Sequence, residues 1–156
     1  APSKSEVQFF DKLHEHNRTM HEWVCLIRDS VVAYIGLTNA YHGMKIVGLH
    51  LGPLAVKPQM QRQGIGSELL KFALRQQGIR ESTIFVLGNV RFYQRFGFEP
   101  CATPRCPFDQ GNKNFLSLRN ESCAEYTVGY EPEYLEIVQS RRRNTMPSRK
   151  RDRYRE

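Results

Sequence analysis

The sequence predicts a mixed α/β fold, on three observations. Two β-rich runs, Trp23–Ile27 and Val31–Leu37, are separated only by Arg28, Asp29 and Ser30, the pattern of an antiparallel hairpin. A third apolar run, Lys45–Val56, gives way at Gly66 to a stretch of helical period. Beyond it a short apolar run, Ser82–Leu87, is followed by a second capped helix, so strands come first and then alternate with helices around one sheet.

Element by element, Val7, Phe9, Phe10 and Leu13 among polar neighbours predict an amphipathic helix over Ser5–Asn17. Pro53 lies inside the third strand and cannot donate to a ladder, so that strand should bulge or break its pairing near Gly52 and Pro53. In Gly66–Gln77, residues Ile65, Leu69, Phe72, Ala73 and Gln76 trace one helical face, Leu70 and Leu74 widen it, and Gly78 caps the end. Ser82–Leu87 suits a buried strand. Asn89 is a good N-cap for a helix through Phe96, ended by Gly97. Asn114–Arg119 and Glu125–Tyr130 read as two further strands, the second alternating through Tyr126, Val128 and Tyr130.

Composition bounds the classes. With 156 residues, 40% hydrophobic and 25% charged, the chain is ordinary globular material for one domain. At this length folding buries roughly 68–70% of the unfolded surface, so no disulfide or metal is needed to hold a core. Cys25, Cys101, Cys106 and Cys123 are therefore expected as free thiols in a reducing compartment. No apolar run reaches the ~20 residues that span a bilayer, and the N-terminal residues lack the basic-then-apolar order of a secretory signal, so a cytoplasmic protein away from membranes is expected. The net charge of +7 is concentrated at one end: residues 141–156 hold eight basic residues against Asp152 and Glu156, a balance of +6 that leaves +1 for residues 1–140. The expected organisation is a folded domain over 1–140 and a flexible basic tail over 141–156. Contact of that tail with nucleic acid or an acidic partner is a minority reading beside a solvated tail.

The chemistry sits in LAVKPQMQRQGIGSELL, residues 54–70: a strand end, a short loop, two glycines, and a helix that starts at once. Glycines there let backbone approach a ligand, while the first-turn N–H groups and the positive end of the helix dipole face outward as an anion cradle. The phosphate loop G-x-x-x-x-G-K-S/T is absent, and Gly64 and Gly66 lack the third glycine of G-x-G-x-x-G.

This segment resembles the signature of the GNAT superfamily of acyl-coenzyme A-dependent N-acetyltransferases, whose Arg/Gln-x-x-Gly-x-Gly/Ala loop corresponds to Gln61, Gly64 and Gly66. VLGNVRFYQRFGFEP, residues 86–100, is similar to that superfamily's second motif, and LGPLAV followed by LGN resembles its YhbS-like branch. The resemblance implies a mixed, mostly antiparallel sheet with flanking helices and a central V-shaped splay that holds acyl-coenzyme A. It implies acetyl-coenzyme A as co-substrate without a metal, and as acceptor an amine-bearing small molecule or protein. By position, Leu54, Ala55 and Val56 match the strand end that pairs with the pantetheine arm. Gln61, Arg62, Gln63, Gly64, Ile65, Gly66 and Ser67 match the pyrophosphate loop, and Asn89 belongs to the second motif's turn. Tyr93 matches the tyrosine commonly assigned to protonate the departing thiolate; its alternative is a half-buried core aromatic.

An amine attacking the thioester directly needs two substrates held in line and a proton removed from the ammonium, but no protein nucleophile. A free amide near Val56, left by the bulged strand, would stabilise the oxyanion. With a reference pKa near 10, Tyr93 is nearly balanced against a thiol of ~8.5. His50 lies six residues before Val56 on one strand, on the same face if no bulge intervenes, and is the candidate base; water or a carboxylate is the alternative, with Glu22 and His21 as acceptor-side candidates.

His14, Glu15, His16 and His21 superficially suggest a metal cluster, but residues two apart on a helix diverge, and Cys101 and Cys106 lack a second pair for zinc. The family pattern places a strand and a helix before the Ser5–Asn17 segment, and the sequence starts without them. The expectation is a shortened member, or one completed by another molecule, with an open hairpin edge that favours a homodimer. Two functions stay open: an acetyltransferase, and a catalytically weak or inactive coenzyme A-binding or partner-binding module of the same fold.

Overall fold

Alternation of side chains from Met20 onward produces β1 (Met20–Ile27) and β2 (Ser30–His42), an antiparallel hairpin turned through Arg28 and Asp29 at positive φ. β2 runs past the apolar stretch that marks it in the sequence, because Thr38 and Ala40 are buried and Tyr41 and His42 pair with Ile46 and Lys45 of β3 (Lys45–Val56). The computed structural model describes residues 11–16 and 18–135. They belong to two units: 19–130, and 11–18 with 131–135. The basic tail and residues 5–10 of the first helix lie outside the described residues.

In the larger unit the six strands lie in the order β1-β2-β3-β4-β6-β5, with β4 at Ile84–Leu87, β5 at Glu99–Pro100 and β6 at Phe115–Leu118. β3 and β4 are parallel; every other neighbouring pair is antiparallel. Their pairing covers only three positions, Leu49 with Ile84, His50 with Phe85 and Leu51 with Val86. The expected bulge is present. Ile35 faces Leu54 while Leu37 faces Leu51, so β3 carries one extra residue across Gly52 and Pro53. After it β3 follows β2 and leaves β4, which opens a wedge between them.

Two helices flank this wedge. α1 (Ile65–Leu74) buries Leu69, Leu70 and Ala73, and α2 (Val90–Gln94) starts where Asn89 Oδ1 accepts the Phe92 amide at 3.1 Å. The predicted strand Glu125–Tyr130 is not continuous. It makes two isolated bridges, Tyr41 with Gly129 and Arg105 with Thr127, because its partners come from two different segments. The two-residue β5 has no sequence signal of its own and exists by pairing with Leu116 and Ser117.

The sheet separates two cores. Ile35, Leu37, Leu49, Leu51, Ile84, Val86 and Leu116 pack toward α1 and α2, with Leu54, Val56 and Tyr93 at the margin. Phe85, Phe115, Cys101, Cys106 and Val128 form the other, with Tyr130 against it. The bulge decides which residues of β3 share a face. Without it His50 and Val56 would lie together; with it Leu54 and Val56 join Leu49 and Leu51, and His50 lies on the opposite face. There its ring stacks on Tyr130 at 3.6 Å and its Nε2 lies 2.9 Å from the Gly129 carbonyl. A carbonyl can only accept, so Nε2 carries the proton. Burial pushes the His50 pKa down to about 4.

In the smaller unit residues 11–15 and 132–135 are helical. The buried Glu133 carboxylate accepts from His16 Nδ1 at 2.6 Å and Arg18 Nε at 3.0 Å, and Arg18 lies 3.5 Å from Glu131. Burial opposes the charge on Glu133, yet these partners hold its pKa below the ordinary carboxylate value.

Gly48 passes so close to the Thr83 carbonyl of the β4 approach that a Cβ there would overlap backbone. Gly48→Ala should therefore cost about 1–3 kcal/mol in chemical denaturation, with the loss traced to the β3–β4 contact by faster exchange of the Leu49 amide, which donates to Thr83 at 2.9 Å. His50 adds a pH dependence. Its folded pKa of about 4 lies below the unfolded 6.5, so its neutral form favours folding fully above pH 6.5, and that stability is lost as pH falls toward 4. The loss amounts to ~3 kcal/mol, and His50→Gln should flatten that part of the stability curve measured between pH 7 and pH 4.

Candidate active site

The wedge between β3 and β4 leads into a groove of about 580 Å³. On one side is the end of β3. Lys57 N donates to Val32 of β2 at 2.8 Å, and along a strand successive residues turn their backbone groups to alternate sides. The amides of Leu54 and Val56 therefore point away from β2 to the side that β4 has left. Gln61 Nε2 donates to the Val56 carbonyl at 3.1 Å and folds the loop back on the strand end.

Next comes the loop itself. A single 3-10 turn, Pro58–Met60, precedes Arg62 and Gly64, both at positive φ. Gly64 has φ +82°, and a Cβ added there would meet nothing within 4 Å. Packing does not demand glycine at this position; backbone conformation and free approach from outside do. Gly64 is also the N-cap of α1 and offers no side-chain cap, so the first-turn N–H groups face the groove without a side-chain acceptor. Gly66 is held to Val56, whose Cγ2 would lie 3.3 Å from a Cβ.

The far wall is α2. Asn89, Phe92, Tyr93 and Arg95 line it, and Arg95 lies over Phe92 and Phe96 at 5.0 and 5.7 Å from the ring centres. Tyr93 packs edge-on to Phe92 and Phe98. Among the described residues its hydroxyl has no hydrogen-bond partner, and burial alone pushes its pKa up to about 12. That changes the sequence-based balance with a thiol of ~8.5. The phenol stays protonated at neutral pH, but complete transfer of its proton to a thiolate is uphill, so its chemistry is that of a positioned donor.

The groove thus brings together Leu54, Val56, Gln61, Arg62, Gly64, Ile65, Gly66, Ser67, Asn89 and Tyr93. It does not bring in three others. Ala55 alternates to the opposite face of β3. Gln63 turns to a separate apolar groove of about 350 Å³ beside Cys25 and Phe72. His50 is 5% exposed on the far face, with its protonated nitrogen committed to Gly129. The sequence reading missed Met60, Gly88, Phe92 and Arg95 as lining residues. For Phe92 and Arg95, helical spacing from Asn89 carried the signal, since residues three and six beyond the cap return toward one side. Among the described residues no three His, Cys, Asp or Glu are grouped to hold a metal ion, and no helix is long and apolar enough to cross a membrane.

Comparison with known proteins agrees with this geometry. Residues 19–100, just over half the chain, match the family model of the acetyltransferase (GNAT) domain. A stretch of 55 residues is 47% identical to the Escherichia coli K12 protein called uncharacterized N-acetyltransferase YjhQ; the match covers 33% of this chain and 29% of that protein's length. In three dimensions the fold is similar to the GNAT family N-acetyltransferase YhbS from Escherichia coli, solved with CoA, with a TM-score of 0.75 at 21% identity over 85% of this chain and 78% of that one. It is also similar to a GNAT family acetyltransferase from Brucella melitensis solved with acetyl-CoA, with a TM-score of 0.68 at 24% identity over 86% and 81% of the two chains. The split sheet, the loop before α1 and the family match together establish that this chain belongs to the GNAT acetyltransferase family.

Proposed function

We propose that the protein transfers an acetyl group from acetyl-coenzyme A to an amine, with the β3–β4 wedge and the α1 loop as the coenzyme site. The observation that carries this reading is the groove of about 580 Å³, where an uncapped helix start, Arg62 and Arg95 meet an unpaired strand end and Tyr93. Anionic phosphates suit the first-turn amides and the two guanidinium groups. The backbone of Leu54 and Val56 offers amides to the pantetheine arm and the thioester oxygen. The acetyl thioester supplies the electrophilic carbonyl, and the rest is positioning and proton handling. As the amine nitrogen forms its bond to the carbonyl carbon, it gives up a proton to solvent water; as the carbon–sulfur bond breaks, Tyr93 donates a hydrogen bond to the leaving thiolate, which takes up a proton from solvent and ends as the thiol. The amide of Leu54 or Val56 steadies the negative charge on oxygen between those events.

His50 is better suited to packing than to proton removal. Its pKa near 4 makes it a weak base, and it lies on the face away from Val56. We assign the reaction to the cytoplasm: the buried thiols Cys101 and Cys106 are unpaired, as suits a reducing compartment.

Two measurements test the reading. Gly64→Val should weaken coenzyme A binding by at least tenfold in titration calorimetry, and its left-handed backbone should cost about 1–2 kcal/mol of stability. Gly43→Val, at a hairpin turn with φ +61° and open space for a side chain, is the matched control: it should suffer similar strain and keep its affinity. Equal affinity in wild type and Gly64→Val would overturn the coenzyme site. For the chemistry, Tyr93→Phe should lower turnover ~100-fold or more while melting temperature and coenzyme A affinity stay near wild type, since no hydrogen bond is lost on folding. Coenzyme A binding without turnover on any amine would favour the binding-module reading instead.

A further inference from the structure

We infer that Arg95 reads the 3′-phosphate of coenzyme A, so that the groove distinguishes coenzyme A from its 3′-dephospho form. The inference rests on the proposed coenzyme site and deepens it by dividing the ligand's phosphates between two arginines.

The argument begins with charge. The groove of about 580 Å³ is lined by Arg62 and Arg95 and by no Asp or Glu. Among the described residues neither guanidinium makes a hydrogen bond or an ion pair. A cleft whose charged side chains are all of one sign concentrates ligands of the other, and here nothing in the chain neutralises either cation. The ligand that completes this groove is a polyanion.

Position then separates the two arginines. Arg62 lies two residues before Gly64, the N-cap of α1, so its charge adds to that of the first-turn amides. Arg95 belongs to the other wall, at the C-terminal end of α2. Asn89, Phe92 and Arg95 are spaced by three residues and share one side of this helix, and all three line the groove. The helical rise separates Arg95 from Asn89 by about 9 Å along that wall. Coenzyme A likewise carries its phosphates in two groups, a pyrophosphate and a monoester on the ribose 3′ oxygen. The pyrophosphate suits the α1 start with Arg62, and the monoester suits the isolated cation on α2.

Arg95 is also held in place before any ligand arrives. Its guanidinium carbon lies 5.0 Å from the Phe92 ring centre and 5.7 Å from that of Phe96. These contacts restrict a long, exposed side chain that would otherwise lose its freedom on binding, and they leave its charge intact. With no hydrogen bond to the chain among the described residues, the N–H groups of the guanidinium remain for a phosphate, which an arginine fork takes bidentately. Arg91 supplies the contrast: it is exposed on the same helix but does not line the groove.

The test is titration calorimetry with coenzyme A and 3′-dephospho-coenzyme A at a fixed salt concentration. Wild type should bind coenzyme A about tenfold more tightly, a preference held to that size because Arg95 is exposed and salt screens the pair. Arg95→Gln removes the charge and should bring the two affinities within about twofold by weakening coenzyme A alone. Arg95→Lys keeps the charge without the fork and should retain part of the preference. Arg62→Gln should weaken both ligands by the same factor, and Arg91→Gln should leave the preference as it is. Equal affinity of wild type for the two ligands would overturn the inference, as would a preference that survives Arg95→Gln or disappears in Arg91→Gln. Failure of wild type to bind either ligand would instead reject the coenzyme site itself. Arg95 is exposed, so the melting temperatures of its variants should stay at the wild-type value and exclude misfolding as the cause.

Discussion

The pairing of β3 with β4 is the constraint on which the rest of this structure depends. Two parallel strands that stay together for three positions and then part leave backbone amides with no partner in the sheet, a state that a buried sheet ordinarily avoids. Two local features enforce it. Gly48 lets the strands approach so closely at one end that any side chain would collide with Thr83. The extra residue across Gly52 and Pro53 then redirects β3 along β2. A close approach and a bulge five residues later turn an ordinary sheet into a wedge whose walls carry hydrogen-bonding groups.

The same bulge reverses the alternation of β3, and this divides the chemistry between two faces. Leu54 and Val56 stay with the core under α1, near the helix start and Tyr93, while His50 is carried to the opposite face and stacks on Tyr130. A histidine that a simple count along the strand aligns with the reacting carbonyl thus becomes a neutral, packed ring. The groove on the α1 side is lined by the cationic side chains of Arg62 and Arg95, whereas the opposite face carries the hydrogen-bonded Glu22–Tyr34 pair.

Burial tunes the two aromatic hydroxyls alike. Tyr93 and Tyr34 are both held protonated, the first by desolvation alone and the second by desolvation with an added carboxylate neighbour. Each is therefore a fixed donor: one lining the groove beside α1, the other fastened to the Glu22 carboxylate at 2.7 Å.

The sequence by itself determined the parts whose cause is local. The Gly64–Gly66 loop before a helix, the Asn89 cap, the Arg28–Asp29 turn and the Pro53 bulge follow from backbone preferences of single residues, which act wherever the chain runs. Tertiary structure decided what depends on a partner far along the chain. Residues Thr38–His42 are strand because β3 lies beside them, Glu125–Tyr130 forms only two bridges because its partners are on different segments, and the two-residue β5 exists through β6. The face on which His50 lies was undecided for the same reason: a one-residue slip exchanges the faces of a strand, and only the register of β3 against β2 shows which side chains meet.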